Sequence, residues 1–187
     1  MFERLLEQLA QALDSRSIAY MVIGGQAVLL YGEPRLTRDI DITLGLSADR
    51  LPTLLEVART LGLRIRVPEP ESFVRETMVL PCEETASTIR VDFIFSNSLY
   101  EAQALSRCRR VRIGGSEVRY AALEDLIIHK LVACRPRDIE DVRSILVRNP
   151  GYDKAYVQRW LADFEAVTGH LLRSVLEDLE HEIKGTG

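Results

Sequence analysis

A run of six residues constrains the fold more than any other part of the chain. In Asp39-Ile-Asp-Ile-Thr-Leu44, polar side chains occupy every second position and large apolar side chains occupy the positions between them. Successive side chains of a β-strand point to opposite faces of a sheet, so this run predicts a strand with one apolar face and one acidic face. Asp39 and Asp41 then share that acidic face, with Cα atoms roughly 6.6–6.8 Å apart.

A third acid lies in a second predicted strand, residues 88–95 (TIRVDFIF), where Asp92 is surrounded by apolar residues. Aspartate is disfavoured inside strands, and burying its charge costs free energy unless it is paired or binds a metal. If this strand lies beside the first, three carboxylates converge and need a counter-charge. Mg²⁺, which takes oxygen ligands, can supply it. Alternatively, the acids cap turns or pair with Arg38 and Arg90 on an exposed face.

Apolar periodicity predicts an α/β part over residues 1–121 and a helical part over residues 122–187. In the first part it predicts helices at 2–14, 26–31, 48–61 and 98–106, strands at 19–23, 39–44, 77–80 and 88–95, a loop at 68–71 and a hairpin at 109–120. In the second part it predicts four helices, at 122–133, from Pro136, from Asp153 and after Gly169. The expected fold class is α/β, a mixed sheet followed by a C-terminal helical bundle.

Composition narrows the class of protein further. The 187 residues are 47% apolar with a formal net charge of −4, which is typical of a folded globular chain and excludes a disordered one. No stretch approaches the ~18 consecutive apolar residues of a membrane span, and charges in the first ten residues argue against a secretory signal. Three scattered cysteines and three scattered histidines argue against a disulfide framework and a zinc site. We therefore expect a cytoplasmic protein without membrane contact.

Residues 23–44, IGGQAVLLYGEPRLTRDIDITL, resemble the signature motif of the DNA polymerase β-like nucleotidyltransferase superfamily. That motif has a Gly-Gly or Gly-Ser turn after a strand, then a helix, then two aspartates separated by one apolar residue, with a later strand supplying a third acid. Its spacing here is closest to the small bacterial nucleotidyltransferases grouped with the AbiEii abortive-infection toxins. VDFIF (91–95) is similar to the third-acid strand, and LEDLIIHKLVACRPRDIEDV (123–142) resembles the helical segment of that group.

The resemblance implies a catalytic and metal-binding role for each acid. Asp39 and Asp41 would hold two Mg²⁺ ions, with Mn²⁺ as an alternative, and Asp92 would bind the catalytic metal and help to activate the acceptor hydroxyl. Two such ions about 3.5–4 Å apart can clamp the attacking and leaving oxygens of a phosphoryl transfer. The implied reaction moves NMP from an NTP to a hydroxyl and releases pyrophosphate.

The resemblance also implies nucleotide-binding residues. Gly24 and Gly25 would let backbone N–H groups approach the triphosphate. Many members have serine after the first glycine, whereas this chain continues with Gly25, so the phosphate must be held by backbone or by other side chains. Lys130 would contact phosphates, although a lysine on an apolar helical stripe can also extend to solvent. Arg38 is the arginine that we assign to the nucleotide.

Three further residues are weaker candidates for the site. Arg35 either contacts the nucleotide or neutralises the acids. Thr37 either hydrogen-bonds near the metals or fills a strand position. Asp138 either belongs to the site or complements the dipole of its helix.

The acceptor is open at this stage. The resemblance suggests RNA, tRNA or a protein side chain, in a toxin–antitoxin setting with a cognate partner. An antibiotic hydroxyl is a second possibility, and a non-catalytic nucleotide-binding or antitoxin-like module is the principal alternative to an enzyme. A phosphoesterase is disfavoured by the Gly-Gly turn and the lack of histidine ligands. An arginine-rich hairpin is either an edge ribbon protected by charge or an RNA-binding surface; its arginines are Arg107, Arg109, Arg110, Arg112 and Arg119.

Overall fold

The computed structural model describes residues 2–96 and 98–185, and the chain divides into two compact units. The first comprises Met1–Gln26 and Leu36–Ala121, and the second comprises Ala27–Arg35 and Ala122–Gly187. The predicted mixed α/β class is confirmed. Segment 27–35 groups with the helices of the second unit although it precedes β2 in the sequence.

The first unit contains a seven-stranded mixed sheet with the order β3-β4-β5-β2-β1-β7-β6. β2 pairs with β5 and β1 with β7 in parallel, and the other neighbours are antiparallel. The strands are β1 (Tyr20–Ile23), β2 (Asp39–Leu44), β3 (Leu63–Ile65), β4 (Val79–Glu84), β5 (Arg90–Phe95), β6 (Arg109–Ile113) and β7 (Ser116–Tyr120).

Nine α-helices connect or follow the strands in the part of the chain that the structure describes. They are α1 (Phe2–Asp14), α2 (Gly24–Tyr31), α3 (Leu51–Thr60), α4 (Pro70–Thr77), α5 (Leu99–Ser106), α6 (Leu123–Ala133), α7 (Pro136–Arg148), α8 (Lys154–Thr168) and α9 (Leu172–Gly185). Within residues 2–96 and 98–185, none is both long and apolar enough to cross a membrane.

The alternation of β2 and β5 produces one packed face of the sheet. Every apolar residue at alternate positions of these two strands is at most 2% exposed. These residues are Ile40, Ile42, Leu44, Val91, Phe93 and Phe95. Burying each such side chain contributes about 1.5–3 kcal/mol, so this face determines which way the strands are oriented. The polar positions must therefore point to the opposite face.

Three elements differ from the sequence prediction. The predicted loop at 68–71 overlaps α4, which begins at Pro70, where the missing proline N–H is not needed. β3 is three residues long, too short to show an alternating pattern, and was not predicted. β4 runs to Glu84 rather than ending near Leu80, because Pro81 keeps its place in the pairing with β5 and offers its carbonyl to Arg66.

The second unit is built around α6, which packs against α7, α8 and α9. Its apolar contact is provided by four fully buried residues, Leu126, Ile127, Ile128 and Leu131. A buried hydrogen bond of 2.8 Å from the Tyr156 hydroxyl to Asp125 joins α8 to α6. Cys134, with a φ of 49°, ends α6 and Pro136 begins α7. The two helices are therefore joined by a tight turn.

Candidate active site

The three predicted acids lie on one face of the sheet. In the parallel pairing of β2 and β5, Asp41 is opposite Asp92 and Asp39 is opposite Arg90. Paired strands are about 4.7–4.9 Å apart and paired residues share a face, so the Asp41 and Asp92 side chains emerge side by side. Asp39 emerges on the same face two residues before Asp41, at the start of β2. We call the side of the sheet that bears these three acids the carboxylate face.

Asp92 is the acid with the most perturbed surroundings. Its Oδ1 atom is buried and has no hydrogen-bond partner among the described residues. Burial raises the pKa of Asp92 above its ordinary value, and the negative charge of Asp39 raises it further, while Arg66 and Arg90 partly oppose both effects. A partly buried carboxylate oxygen without a donor is stabilised by binding a proton or a cation.

The donor chemistry of this face fits a hard divalent cation. All three side chains offer carboxylate oxygens, which are the ligands that Mg²⁺ takes, and Asp92 Oδ1 lacks a competing donor. Over residues 2–96 and 98–185, no group of three or more histidine, cysteine or acidic side chains is arranged so that it could hold a metal ion, so the three aspartates do not converge as closely as the sequence suggested. The face therefore presents the adjacent pair Asp41 and Asp92, with Asp39 next along the strand.

The turn between β1 and α2 lies directly against these acids. Gly24 has a φ of +63°, and a Cβ atom placed there would come within 1.9 Å of Asp41 Oδ2. Gly25 follows it, buried in the first turn of α2. A backbone without a side chain thus borders the Asp41 carboxylate, which is the geometry that a phosphate held by backbone N–H groups requires.

We expect Gly24→Ala to displace the Asp41 carboxylate and to abolish any reaction that depends on it. The left-handed backbone adds a cost of about 1–2 kcal/mol to the free energy of folding. Gly62→Ala is the matched control, because Gly62 has a φ of +66° but no atom within 4 Å of the added Cβ. The midpoint temperature of thermal unfolding should fall in both variants, whereas substrate turnover should fall in Gly24→Ala alone. Equal turnover in the two variants would contradict this assignment of Gly24.

Two other predicted site residues lie immediately before the start of β2. Thr37 Oγ1 is 3.4 Å from the backbone carbonyl of Asp39 and donates a weak hydrogen bond to it. Arg38 immediately precedes β2 and is exposed. Both residues belong to the first unit with the three acids.

Lys130, Asp138 and Arg35 lie in the second unit, within one buried ionic network. The Lys130 ammonium donates to Asp138 at 2.7 Å and contacts Asp141 at 2.8 Å, with all three side chains at most 7% exposed. Arg35 binds Asp141 through two parallel hydrogen bonds of 2.8 and 2.9 Å. Arg135 binds the other carboxylate, that of Asp138, at 2.7 Å. The network thus ties residues 27–35 to α6 and α7.

The charges in this network hold its acids ionised. Burial opposes ionisation of Asp138, but hydrogen bonds from Lys130 and Arg135 outweigh it and keep the pKa of Asp138 below its ordinary value. For Asp141, burial is likewise outweighed by hydrogen bonds from Arg35 and Lys130, and its pKa is also lowered. Asp138 in addition accepts the backbone N–H of Arg135 and caps the start of α7. The Lys130 ammonium therefore has two carboxylate partners within its own unit.

Sequence reasoning assigned no site role to two residues that have clear roles in these arrangements. Asp141 follows Asp138 by three residues, a spacing that places both acids on one face of α7, and this spacing was the available signal. Arg66 lies close enough to influence Asp92, yet β3, which leads to it, is too short to predict. The alternation Leu63-Arg-Ile-Arg66 was the signal for this second residue.

A sequence comparison decides the family. The model of a family described as "Nucleotidyltransferase of unknown function (DUF6036)" matches residues 1–169. The chain belongs to this nucleotidyltransferase family. The match includes the two strands that carry the acids, the Gly24-Gly25 turn and the ionic network of the second unit. No curated protein matches the chain.

Solved structures share the fold of this nucleotidyltransferase. An antigenic nucleotidyltransferase-like protein from Paracoccidioides brasiliensis is 20% identical with a TM-score of 0.56, covering 94% of this chain and 91% of its own. ANT(2")-Ia in complex with adenylyl-2"-tobramycin is 20% identical with a TM-score of 0.58, covering 88% and 97%. The lincosamide antibiotic adenylyltransferase LnuA, lincomycin-bound, is 16% identical with a TM-score of 0.53, covering 76% and 94%. At these identities the likeness concerns the fold alone.

Proposed function

We propose that this nucleotidyltransferase transfers NMP from an NTP to a hydroxyl acceptor in a Mg²⁺-dependent reaction. The observation that carries the proposal is the pairing of Asp41 with Asp92 on one sheet face, with a buried Asp92 oxygen that lacks a donor. The glycine turn supports it, because Gly24 brings backbone without a side chain directly against the Asp41 carboxylate.

Asp39, Asp41 and Asp92 would hold the Mg²⁺ ions. When bound, Mg²⁺ polarises the phosphoryl oxygens and neutralises the charge that develops on them. In the proposed reaction, the acceptor oxygen bonds to the α-phosphorus and the bond from that phosphorus to the β-bridging oxygen breaks. The electron pair leaves with pyrophosphate, and the hydroxyl proton passes to an Asp92 carboxylate oxygen.

Backbone N–H groups of Gly24 and Gly25 would contact the triphosphate, and Arg38 is the side chain of the first unit that we assign to it. We keep Lys130 as a proposed phosphate contact, in competition with the buried ion pairs that it makes. Positioning and electrostatic stabilisation would supply most of the rate, because phosphoryl transfer needs little covalent help from the protein.

We further propose an acceptor that is RNA, tRNA or a protein side chain, in a toxin–antitoxin setting. This proposal is supported by the resemblance of residues 23–44 and 123–142 to AbiEii-type toxins. An antibiotic hydroxyl is the second candidate, favoured by the shared fold with ANT(2")-Ia and LnuA. A partner gene beside this one would support the first, and resistance conferred by expression would support the second.

Labelled NTPs offer the direct test. The protein is incubated with each α-labelled NTP, Mg²⁺ and either total RNA, cell protein or an antibiotic panel, and labelled products are separated by class. We expect transfer of label from at least one NTP, with stoichiometric pyrophosphate and complete loss of transfer when EDTA removes the metal. Nucleotide binding without transfer to any acceptor would favour the non-catalytic module. Release of phosphate from a monoester would favour a phosphoesterase.

A further inference from the structure

Arginines continue the carboxylate face toward the β3 edge of the sheet. The pairing places Arg90 between Asp39 and Glu83, and Glu83 is in turn opposite Arg64 on β3. Residues opposite one another across paired strands share a face, so this row alternates acid and base across four strands. Arg90 and Arg64 therefore lie on the same side of the sheet as the three acids.

A third arginine stands next to Asp92. The backbone N–H of Arg66 donates to the Pro81 carbonyl at 2.9 Å, and Pro81 is the residue opposite Asp92 in the β4–β5 pairing. The guanidinium Nε of Arg66 is 3.7 Å from a Glu83 carboxylate oxygen, which confirms its side of the sheet. We call Arg64, Arg66 and Arg90 the arginine patch.

The patch places three positive charges directly beside the acids of the carboxylate face. Glu83 lies among the three arginines, and its pKa is lowered first by a hydrogen bond from Arg64 and then by their charges. Arg66 and Arg90 also partly oppose the raised pKa of Asp92. The Arg64 side chain is 64% exposed and the Arg66 side chain 35%. Exposed ion pairs of this kind contribute about 0–1 kcal/mol, so stability does not explain why the patch exists. A binding role explains both the charge and the exposure.

We infer that the arginine patch binds the phosphate groups of an RNA acceptor and directs its terminal ribose hydroxyl toward Asp92. This inference rests on the proposed function, since it names the acceptor of the same site. A guanidinium binds phosphate oxygens through two parallel hydrogen bonds, and RNA is the acceptor that carries phosphates beside its hydroxyl. A polycationic antibiotic would be repelled by the patch, and a protein side-chain hydroxyl has no adjoining phosphate for the arginines to bind.

The hairpin of β6 and β7 provides a matched control at the opposite sheet edge. Arg110 pairs with Glu117 across that hairpin as Arg64 pairs with Glu83, and Arg112 is a second exposed arginine. The double variants Arg64→Gln/Arg66→Gln and Arg110→Gln/Arg112→Gln therefore remove equal charge from equivalent surfaces of the same unit. Neither pair belongs to the proposed metal-binding set.

Binding of a short 5′-fluorescein single-stranded RNA is measured by anisotropy over a range of salt concentrations, in EDTA so that turnover is excluded. We expect Arg64→Gln/Arg66→Gln to weaken binding about tenfold and to lower the salt slope by about 1.4, as the loss of two phosphate contacts requires. Arg110→Gln/Arg112→Gln should stay within about twofold of wild type, since we assign it no contact. In transfer assays, the patch variant should raise KM for RNA and leave KM for the NTP unchanged.

The outcomes separate this inference from the proposed function. RNA binding that depends on the patch, in a protein without transfer activity, would support the patch and refute the enzyme. Transfer to RNA that is insensitive to the patch would support the enzyme and overturn the inference. Weaker binding in the hairpin variant instead, an absence of RNA binding, or equal competition by a poly-glutamate peptide would each overturn it as well.

Discussion

Asp92→Asn is expected to reduce nucleotidyl transfer by about 10³-fold or more while leaving the protein folded. The amide keeps the shape of the carboxylate but can neither accept the acceptor proton nor bind Mg²⁺ as an anion. General-base catalysis alone contributes about 10²–10⁴-fold, and loss of a metal ligand adds to it. The measurement is kcat/KM with α-labelled NTP at saturating Mg²⁺, with Asp163→Asn on the exposed side of α8 as the control.

The same variant should be more stable than wild type at neutral pH. Because burial and the charge of Asp39 raise the folded-state pKa of Asp92, the ionised carboxylate is less favourable in the native protein than in the unfolded chain. Below the unfolded pKa of about 3.9 both states are protonated and wild type suffers no penalty. As pH rises through the elevated folded pKa, wild type loses stability and the variant does not.

Thermal unfolding across pH therefore tests Asp92 without an assay of activity. In EDTA, the midpoint of Asp92→Asn should match wild type at low pH and exceed it at neutral pH. Added Mg²⁺ should narrow the gap, because a ligand that binds the native state alone stabilises it. A variant that retains more than a tenth of the wild-type rate, or a gap independent of pH, would rule out this role of Asp92.

The site in the sheet was accessible from the sequence because its signal is local. The strict alternation of residues 39–44 and the isolated acid in 88–95 specify which face each aspartate occupies. Because the apolar residues of both strands are buried on one face, the aspartates must point to the other face. The parallel pairing of the two strands is the one step that the alternation did not supply. The sequence left it as a condition that the two strands lie side by side, and the structure supplies both their parallel pairing and the register of Asp41 with Asp92.

Residues whose partners are distant in sequence were harder to place. Asp141 binds Arg35 across 106 positions, and no periodicity connects them. The hydrophobic stripe predicted the helix that carries Lys130, but a stripe cannot tell whether a lysine on it reaches solvent, a ligand or a buried acid. Arg66 was missed for a related reason, since its position depends on the pairing of the short strand β3 with β4. Long-range ion pairs are where sequence periodicity ceases to be informative.

The buried ionic network leads to the second large effect, which is on stability. We expect Lys130→Met to lower the free energy of unfolding by about 3–5 kcal/mol, because it leaves two buried carboxylates without their shared cation. For a chain of this length that corresponds to a fall of roughly 6–20 °C in the thermal midpoint. Methionine preserves the length and apolar stem of lysine, so the loss of stability measures the effect of removing the positive charge. The arginines that bind Asp138 and Asp141 limit the damage without replacing the ammonium.

Lys154→Met is the control for this measurement. Lys154 lies in the same unit and pairs with Glu180, but its side chain is 42% exposed, so its removal should cost under about 1 kcal/mol. The double variant Lys130→Met/Asp138→Asn should recover part of the lost stability, because it also removes one of the two buried carboxylates that Lys130→Met leaves without their cation. The interaction energy between the two substitutions should be about 0.5–3 kcal/mol. A phosphate contact by Lys130 predicts a different pattern, in which KM for the NTP rises and unfolding without nucleotide is unchanged. That pattern would show that the ammonium leaves both acids to bind the nucleotide.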